Sequence, residues 1–557
     1  MKNLILILVL LFAFACKEQP QVEKEDVVLW QPYNDSAEVA ANADHKSERM
    51  RFKFIQSKVL NKNEVFLPLY DEVSKLSDSE YEALKPLILE QNIYTLQDHI
   101  ANAKLTYEKL VRFYLYRIYK YELNNATTLN TVIALNEKVV DEARKKDKAI
   151  AEGLDIKHPI YGMPIVLKDN INTSGMHTTA GAIALIDNEV EDAFIVERLK
   201  ENGALILGKV NLSEWANFLC NCPNGQSAVG GQTLNPYRRL VFDTGGSSAG
   251  SGAATAANYA VAAVGTETSG SILSPSGQNS VVGLKPTIGL LSRTGIVPIS
   301  STLDTPGPMT KNVIDNAILL SAMTGKDTLD AKSIEERFPG IISAGIHPTA
   351  FTDMRLGAMK PLLESDSIYR TTIEKLKQLG AEIIEFTPAE VTMDGFLSIL
   401  NIDMRNDLPE YLRTQIKSKN TVKIKSVSDA VAFNNADSLL RVPYGQVRFE
   451  GILADTTTTE ELEKIKSTLE KNGRHFFDMA LDKHQLDAVL SINNYHAGYA
   501  AVAKYPALAV PMGYKASGEP ISLTFIAKPF KEAALLRLGA AFEKATQARV
   551  IPQAYKN

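Results

Sequence analysis

With 557 residues, 45% of them hydrophobic and 22% charged, the chain carries enough apolar surface for a large packed core, which excludes a globally disordered protein. A net charge of only −5, with no basic face and no arginine-aromatic track, removes the electrostatic case for nucleic acid as a partner. The length allows roughly two to four average domains, or one large α/β enzyme unit.

The chain opens MKNLILILVLLFAFACKEQP: one lysine, an unbroken apolar run from Leu4 to Ala15, then Cys16. About twelve apolar residues are too few to cross a bilayer as a helix, so residues 1–15 read as a signal peptide. Cys16 after Ala-Phe-Ala is similar to the lipobox of bacterial lipoproteins. That likeness implies export to a bacterial envelope, on the periplasmic or outer-membrane side, with a lipid on Cys16 as the sole membrane contact. Signal cleavage without lipidation is the alternative open to the same residues. The charged stretch KEQPQVEKED makes 16–34 a tether.

From 35 to 95 the pattern is helical but irregular, with Ser77 and Asp78 offering caps, and reads as an N-terminal extension. Periodicity of three to four residues begins at TLQDHIANAKLTYEKLVRFYLYRIYKYE and predicts helices over 96–102 and 106–122, with a further helix over 131–151. HPIYGMPIVLKDNINT reads as a short buried strand ending at Lys168, and AFIVERLKENGALILGKVN as helix, glycine stop and strand. This alternation predicts an α/β sheet.

FLCNCPNG holds Cys220 and Cys222. A disulfide across one intervening residue is strained and two thiols do not complete a zinc site, so two loop thiols are expected. The stretch from Gly230 to Ser276 is rich in Gly, Ser, Thr and Ala, as close backbone approach requires, with a small-residue helix over 249–258. From 312 to about 494 the chain is more polar and helical, with strand-like RLGAMK and EIIEF. The tail KYPALAVPMGYKASGEPISLTFIAKPF returns to strand and hairpin signals before an amphipathic helix over 531–548, so one sheet draws on distant parts of the chain.

Two serine motifs lie in the small-residue region. GGSSAGSG contains a G-x-S-x-G match centred on Ser248, the pattern of a nucleophile elbow. An elbow serine follows a buried strand and uses a histidine. Here QTLNPYRRLVFDT is a poor central strand, and His347, His475, His484 and His496 sit in polar or turn-like contexts. In GTETSGSILSP, Ser271 lies 24 positions after Ser247. The amides of Thr268, Ser269, Gly270 and Ser271 fall in a turn that can aim several N–H groups at one point, as an oxyanion hole requires. A lysine serves as base if burial disfavours its charged form, and Lys168 follows an apolar strand that carries it inward. On these residues alone, a plain Gly/Ser turn and a solvated lysine remain the alternatives.

In order and spacing, YGMPIVLKDNINT, GGSSAGSG and GTETSGSI resemble the amidase signature family. The resemblance implies a Ser-cis-Ser-Lys triad: Ser271 the nucleophile, Ser247 the bridging serine after a cis Gly246–Ser247 peptide, Lys168 the base, and Ser248 a decoy. It covers roughly 96–548, so 96–557 becomes the amidase domain. VNLSEWANF, GGQTLNPY, VVGLKPTIGLLSRTGIVPIS and DTPGPMT look like segments of the peptide-amidase-like branch. The implied fold is a large twisted mixed β-sheet flanked by helices. The implied activity is cleavage of a carboxamide C–N bond through an acyl-enzyme, on a small-molecule or peptide amide, with no metal or organic cofactor. Glu267, Ser269 and Leu273 depart from the commoner loop G-T-D-T-G-G-S-I-R, and these positions, like 220–225, are expected to touch substrate. Two other functions share the signature. The role of a transamidating amidotransferase component that converts glutamyl-tRNA is opposed by the signal peptide and the lack of a basic surface. A catalytically silent amide-binding lipoprotein is opposed by the presence of all three triad residues.

Overall fold

The computed structural model describes residues 27–334, 351–352, 354–417 and 420–557. The signal peptide, Cys16, residues 16–26 of the tether and His347 lie outside the described residues. The strands are β1 (Val132–Leu135), β2 (Pro164–Lys168), β3 (Leu205–Val210), β4 (Gln226–Ser227), β5 (Gly231–Gln232), β6 (Ala262–Glu267), β7 (Val282–Lys285), β8 (Thr305–Thr310), β9 (Arg355–Met359), β10 (Glu382–Phe386), β11 (Ala488–Ile492), β12 (Ala507–Tyr514) and β13 (Pro520–Ile526). Eleven of them form one sheet in the order β1-β3-β2-β6-β8-β7-β12-β13-β11-β9-β10. The joins β3-β2-β6 and β11-β9-β10 are parallel and those between are antiparallel, so the sheet is mixed.

The central strands follow from their composition. β2 reads PIVLK and every residue is buried, as are those of β3 and β6; parallel strands covered on both faces need such uninterrupted apolar runs. Helix Ala249–Ala256 packs on β6, Val313–Met323 on β8 and Glu532–Thr546 on β12, so the sheet is flanked by helices as expected. The C-terminal strands enter mid-sheet, with β12 beside β7. No helix among the described residues is long and apolar enough to cross a membrane.

Helix Ala249–Ala256 is buried at every residue. A Cβ on Gly250 would stand 2.3 Å from the Asn211 carbonyl oxygen, so only glycine admits this approach. Beyond its C-terminal end, buried Arg117 donates to the carbonyls of Ala257, Asn258 and Tyr555, while Arg549 donates to that of Ala256. Two guanidinium groups thus meet the negative end of the helix dipole and its unpaired carbonyls.

Three expectations change. The helix expected over 131–151 is β1 followed by helix Val139–Ala151; the run TVIAL is too short for periodicity to separate strand from helix, and it pairs antiparallel with β3. Residues 27–34, expected as the end of a tether, are docked: Trp30 is buried, its indole donating to Asn125 Oδ1 at 2.7 Å. Cys220 and Cys222 are paired as a disulfide rather than left as thiols, their Cα atoms 5.1 Å apart, within the span a disulfide bridges.

Both cysteines belong to a second, smaller apolar cluster. It joins Trp215, Ile299 and Leu303 to the helical segment between β10 and β11, through Ile399, Leu408 and Tyr411 of helix Phe396–Thr414. The main cluster runs through the sheet and includes Ile55, Phe66 and Ile88 of the N-terminal extension.

Candidate active site

β2 ends at Lys168, which is 0% exposed. Its Nζ lies 2.7 Å from Ser247 Oγ, 2.8 Å from Thr266 Oγ1 and 3.1 Å from the Thr266 carbonyl oxygen. Burial pushes its pKa down to about 7, opposed by the carboxylates of Asp304 and Glu267. A substantial fraction of this lysine is therefore an uncharged amine at neutral pH. The next residue, Asp169, pairs with Lys209 at 3.0 Å, both fully buried, and also accepts from the Thr179 hydroxyl.

Ser247 follows a cis Gly246–Ser247 peptide and is fully buried. Its carbonyl accepts from the Ser213 N–H at 3.0 Å, and Asp243 Oδ1 holds the N–H of Gly245 at 2.8 Å. Neighbouring Ser248 has its hydroxyl fully engaged. It donates to the Thr266 carbonyl at 3.0 Å and accepts the Thr266 N–H at 3.2 Å. No histidine is a hydrogen-bond partner of Ser247, Ser248 or Ser271 among the described residues. His475 is exposed, and His496 is held by Ser491.

Ser271 lies in the loop after β6 and, at 8% exposure, is the least buried of the three expected triad residues. Its carbonyl accepts from the Ser248 N–H at 3.1 Å, tying the two serine motifs together. Among the described residues its hydroxyl has no hydrogen-bond partner, and no direct bond joins it to Ser247. Glu267 shapes this loop. One oxygen accepts the Gly270 N–H at 2.7 Å and the other accepts those of Ile272 at 2.7 Å and Leu273 at 3.0 Å. The expected set of four oxyanion donors is corrected accordingly: Gly270 has one N–H, and a carboxylate already takes it. The amides of Thr268, Ser269 and Ser271 meet no protein acceptor among the described residues. Gly270 has φ +85°, in the left-handed region that glycine enters freely.

Asp304 braces the loop from the other side. Its Oδ1 accepts the Thr268 hydroxyl at 2.5 Å, and its Oδ2 accepts the N–H groups of Ile299 at 2.8 Å and Ser300 at 2.9 Å. Burial raises its pKa. A cavity of about 470 Å³ opens beside the cluster, with Asn170, Thr266, Thr268 and Asp304 on the near wall and Asp407 and Tyr411 on the far one. Ser247 and Ser271 stand outside that lining. Sequence reasoning singled out Glu267 only as a departure from a pattern, and missed Thr266, Asn170 and Asp304. The signals were present: Asn170 follows Lys168 by two positions, Thr266 starts the TETSGS run, and Asp304 opens DTPGPMT.

The amidase family model matches residues 109–491. A protein of Arabidopsis thaliana described as a probable amidase is 36% identical over 485 residues, spanning 84% of this chain and 92% of its own. A glutamyl-tRNA(Gln) amidotransferase chain of Zymomonas mobilis is 30% identical over 484 residues, spanning 81% and 95%. Among solved structures, an amidase family protein from Bacillus anthracis has a TM-score of 0.84 at 36% identity, covering 90% of this chain and 100% of that one. The peptide amidase from Stenotrophomonas maltophilia has a TM-score of 0.77 at 35% identity, covering 84% and 99%. The matched span takes in β2, both serine motifs and the loop that Glu267 holds, and on that ground the chain belongs to the amidase signature family.

Proposed function

We propose that the protein is a serine amide hydrolase with Ser271 as nucleophile, Ser247 as proton relay and Lys168 as base. The observation that carries this reading is the buried Lys168 amine 2.7 Å from Ser247 Oγ, in surroundings that favour its uncharged form. Ser271 Oγ attacks the carbonyl carbon of a carboxamide as its proton passes to Ser247 and that of Ser247 to Lys168. The tetrahedral oxyanion lies against the N–H groups of Thr268, Ser269 and Ser271, where one lost donor typically costs about 3–4 kcal/mol. The C–N bond then breaks as the proton on Lys168 returns through Ser247 to the leaving nitrogen, and the free amine departs. Water attacks the acyl-enzyme through the same relay and releases the acid.

Similarity to a peptide amidase supports a peptide or small-molecule carboxamide as substrate. The apolar run from Leu4 to Ala15 and the following Cys16 support export and lipid anchoring in a bacterial envelope. Labelled palmitate should enter the wild type but not Cys16→Ala.

Incubation with a fluorophosphonate, followed by intact mass and peptide mapping, tests the mechanism. One adduct on Ser271, absent from Ser271→Ala and Lys168→Ala, is the expected result. An adduct on Ser248, or none, would overturn the mechanism.

A further inference from the structure

The hydrogens around Lys168 can be counted. An uncharged lysine amine has two N–H donors and one lone pair. Its Nζ has three oxygen neighbours: Thr266 Oγ1 at 2.8 Å, the Thr266 carbonyl at 3.1 Å and Ser247 Oγ at 2.7 Å. If Thr266 takes both hydrogens, the lone pair is left facing Ser247, which is the direction a base requires.

Two features keep the Thr266 carbonyl in that accepting role, and Asn170 sets its hydroxyl. In β8 the residue opposite Thr266 is Pro306, which has no N–H to offer its carbonyl. Ser248 brackets the Thr266 backbone, accepting its N–H at 3.2 Å and donating to its carbonyl at 3.0 Å, which leaves one carbonyl lone pair for Lys168. Asn170 Nδ2 donates to Thr266 Oγ1 at 3.0 Å. Asn170 Oδ1 has no hydrogen-bond partner among the described residues. If the amide were turned over, Oδ1 would receive the Thr266 hydrogen, and a hydroxyl lone pair would still face Lys168.

We propose that Thr266, set in place by Asn170 and Ser248, is the positioning residue that aims the lone pair of uncharged Lys168 at Ser247. The inference rests on the reading of Lys168 as base. It also gives Ser248 a purpose: the serine that imitates a nucleophile elbow fixes the backbone of the residue that orients the base. The charged groups around Lys168 are Glu267, which follows Thr266 in the chain, Asp304 before β8, and the Asp169–Lys209 pair at the end of β2.

Thr266→Val keeps the side-chain shape and removes the hydroxyl, whereas Thr266→Ser restores it. Turnover of an amide and the rate of fluorophosphonate labelling would be followed against pH in both variants, with folding checked by thermal denaturation. In the valine variant kcat should fall roughly 10- to 100-fold with KM little changed. Its acid limb should move to lower pH, because the ammonium form loses a charge-assisted acceptor and is disfavoured more than the amine. Thr266→Ser should recover most of the rate. A folded valine variant with wild-type kcat and limb would overturn the inference, and so would a loss that serine fails to rescue and that leaves the limb in place. Asn170→Ala, which leaves Thr266 intact, should lower kcat in the same sense should Thr266→Val fail to fold; a wild-type rate there would count against the proposal. If wild-type Ser271 took no label, or if Lys168→Ala labelled normally, the base assignment would fall and this inference with it. A wild type labelled through Lys168 beside an unaffected Thr266→Val would sink the inference alone.

Discussion

Glu267 commits both carboxylate oxygens to three backbone N–H groups of the loop it precedes. In Glu267→Gln one acceptor becomes a donor facing an N–H, and a buried group left unsatisfied costs about 1–3 kcal/mol. Labelling of Ser271 should slow markedly, and the acid limb should move to lower pH, because the Glu267 charge raises the Lys168 pKa. A normal rate at an unshifted limb would refute this. Lys168 itself is a stability liability. Its folded pKa of about 7 lies below the ordinary 10.5, so between these values the unfolded state holds the extra proton and stability rises with pH. Lys168→Met should therefore be inactive yet more stable, by about 2–4 kcal/mol at pH 7. Urea titrations should show that gain in full below pH 7 and lose it as pH approaches the unfolded value. The approach of Lys168 to Ser247 at 2.7 Å was legible in the sequence because each sits in its own short motif, as Ser271 does. Thr266, Asn170 and Asp304 were not, because a hydroxyl or amide in a strand or loop declares nothing until its partners, up to 98 positions apart here, are brought together. The Gly270 amide was misassigned for a related reason: a side chain three residues back reaches its hydrogen.

At the scale of elements, the small-residue helix Ala249–Ala256 depends on what holds its far end. Arg117 makes four hydrogen bonds there, to three carbonyls and the Tyr81 hydroxyl. Arg117→Met fills similar volume but leaves buried carbonyls without donors, and should lower stability by roughly 3 kcal/mol. Chemical denaturation would measure this, and a change below about 0.5 kcal/mol would contradict it. The helix was visible in the sequence because alanine, the strongest helix former, recurs through its run of small residues. β1 was not visible, because four apolar residues ahead of a helix continue its pattern. The Cys220–Cys222 pair was misjudged on spacing alone, whereas the loop brings their Cα atoms to 5.1 Å.

For the whole molecule, burial sets the pH response. It pushes Glu214 and Glu543 up to about 8 and Asp315 and Asp407 up to about 6. These groups bind more protons folded than unfolded, so stability falls as pH rises from the ordinary carboxylate range toward 8. Lys285 and Lys311 are pushed down to about 8 by burial, so stability recovers above that value. Glu90 acts in the opposite sense at low pH. Burial would raise it, yet Arg549 beside it holds it at about 2, and its contribution is lost as pH falls through that range. The thermal midpoint should therefore peak near pH 5 and dip toward pH 8, while turnover, with Lys168 as the proposed base, should rise through pH 7. Coincident optima would refute this. Strand signals toward both chain ends pointed to one sheet, and the structure unites them in it. The order of its strands was hidden, because pairing between distant segments is decided by packing rather than by local pattern.

The cavity has two owners. Its near wall comes from the sheet and its loops, while Asp407, Glu410 and Tyr411 come from helix Phe396–Thr414, whose Ile399, Leu408 and Tyr411 pack in the smaller apolar cluster. Substitutions on that helix alter the far wall of the cavity without disturbing the strands that hold Lys168. The two walls are thus heritable separately, so the shape of the hollow can drift over generations while the surroundings of Lys168 stay as they were.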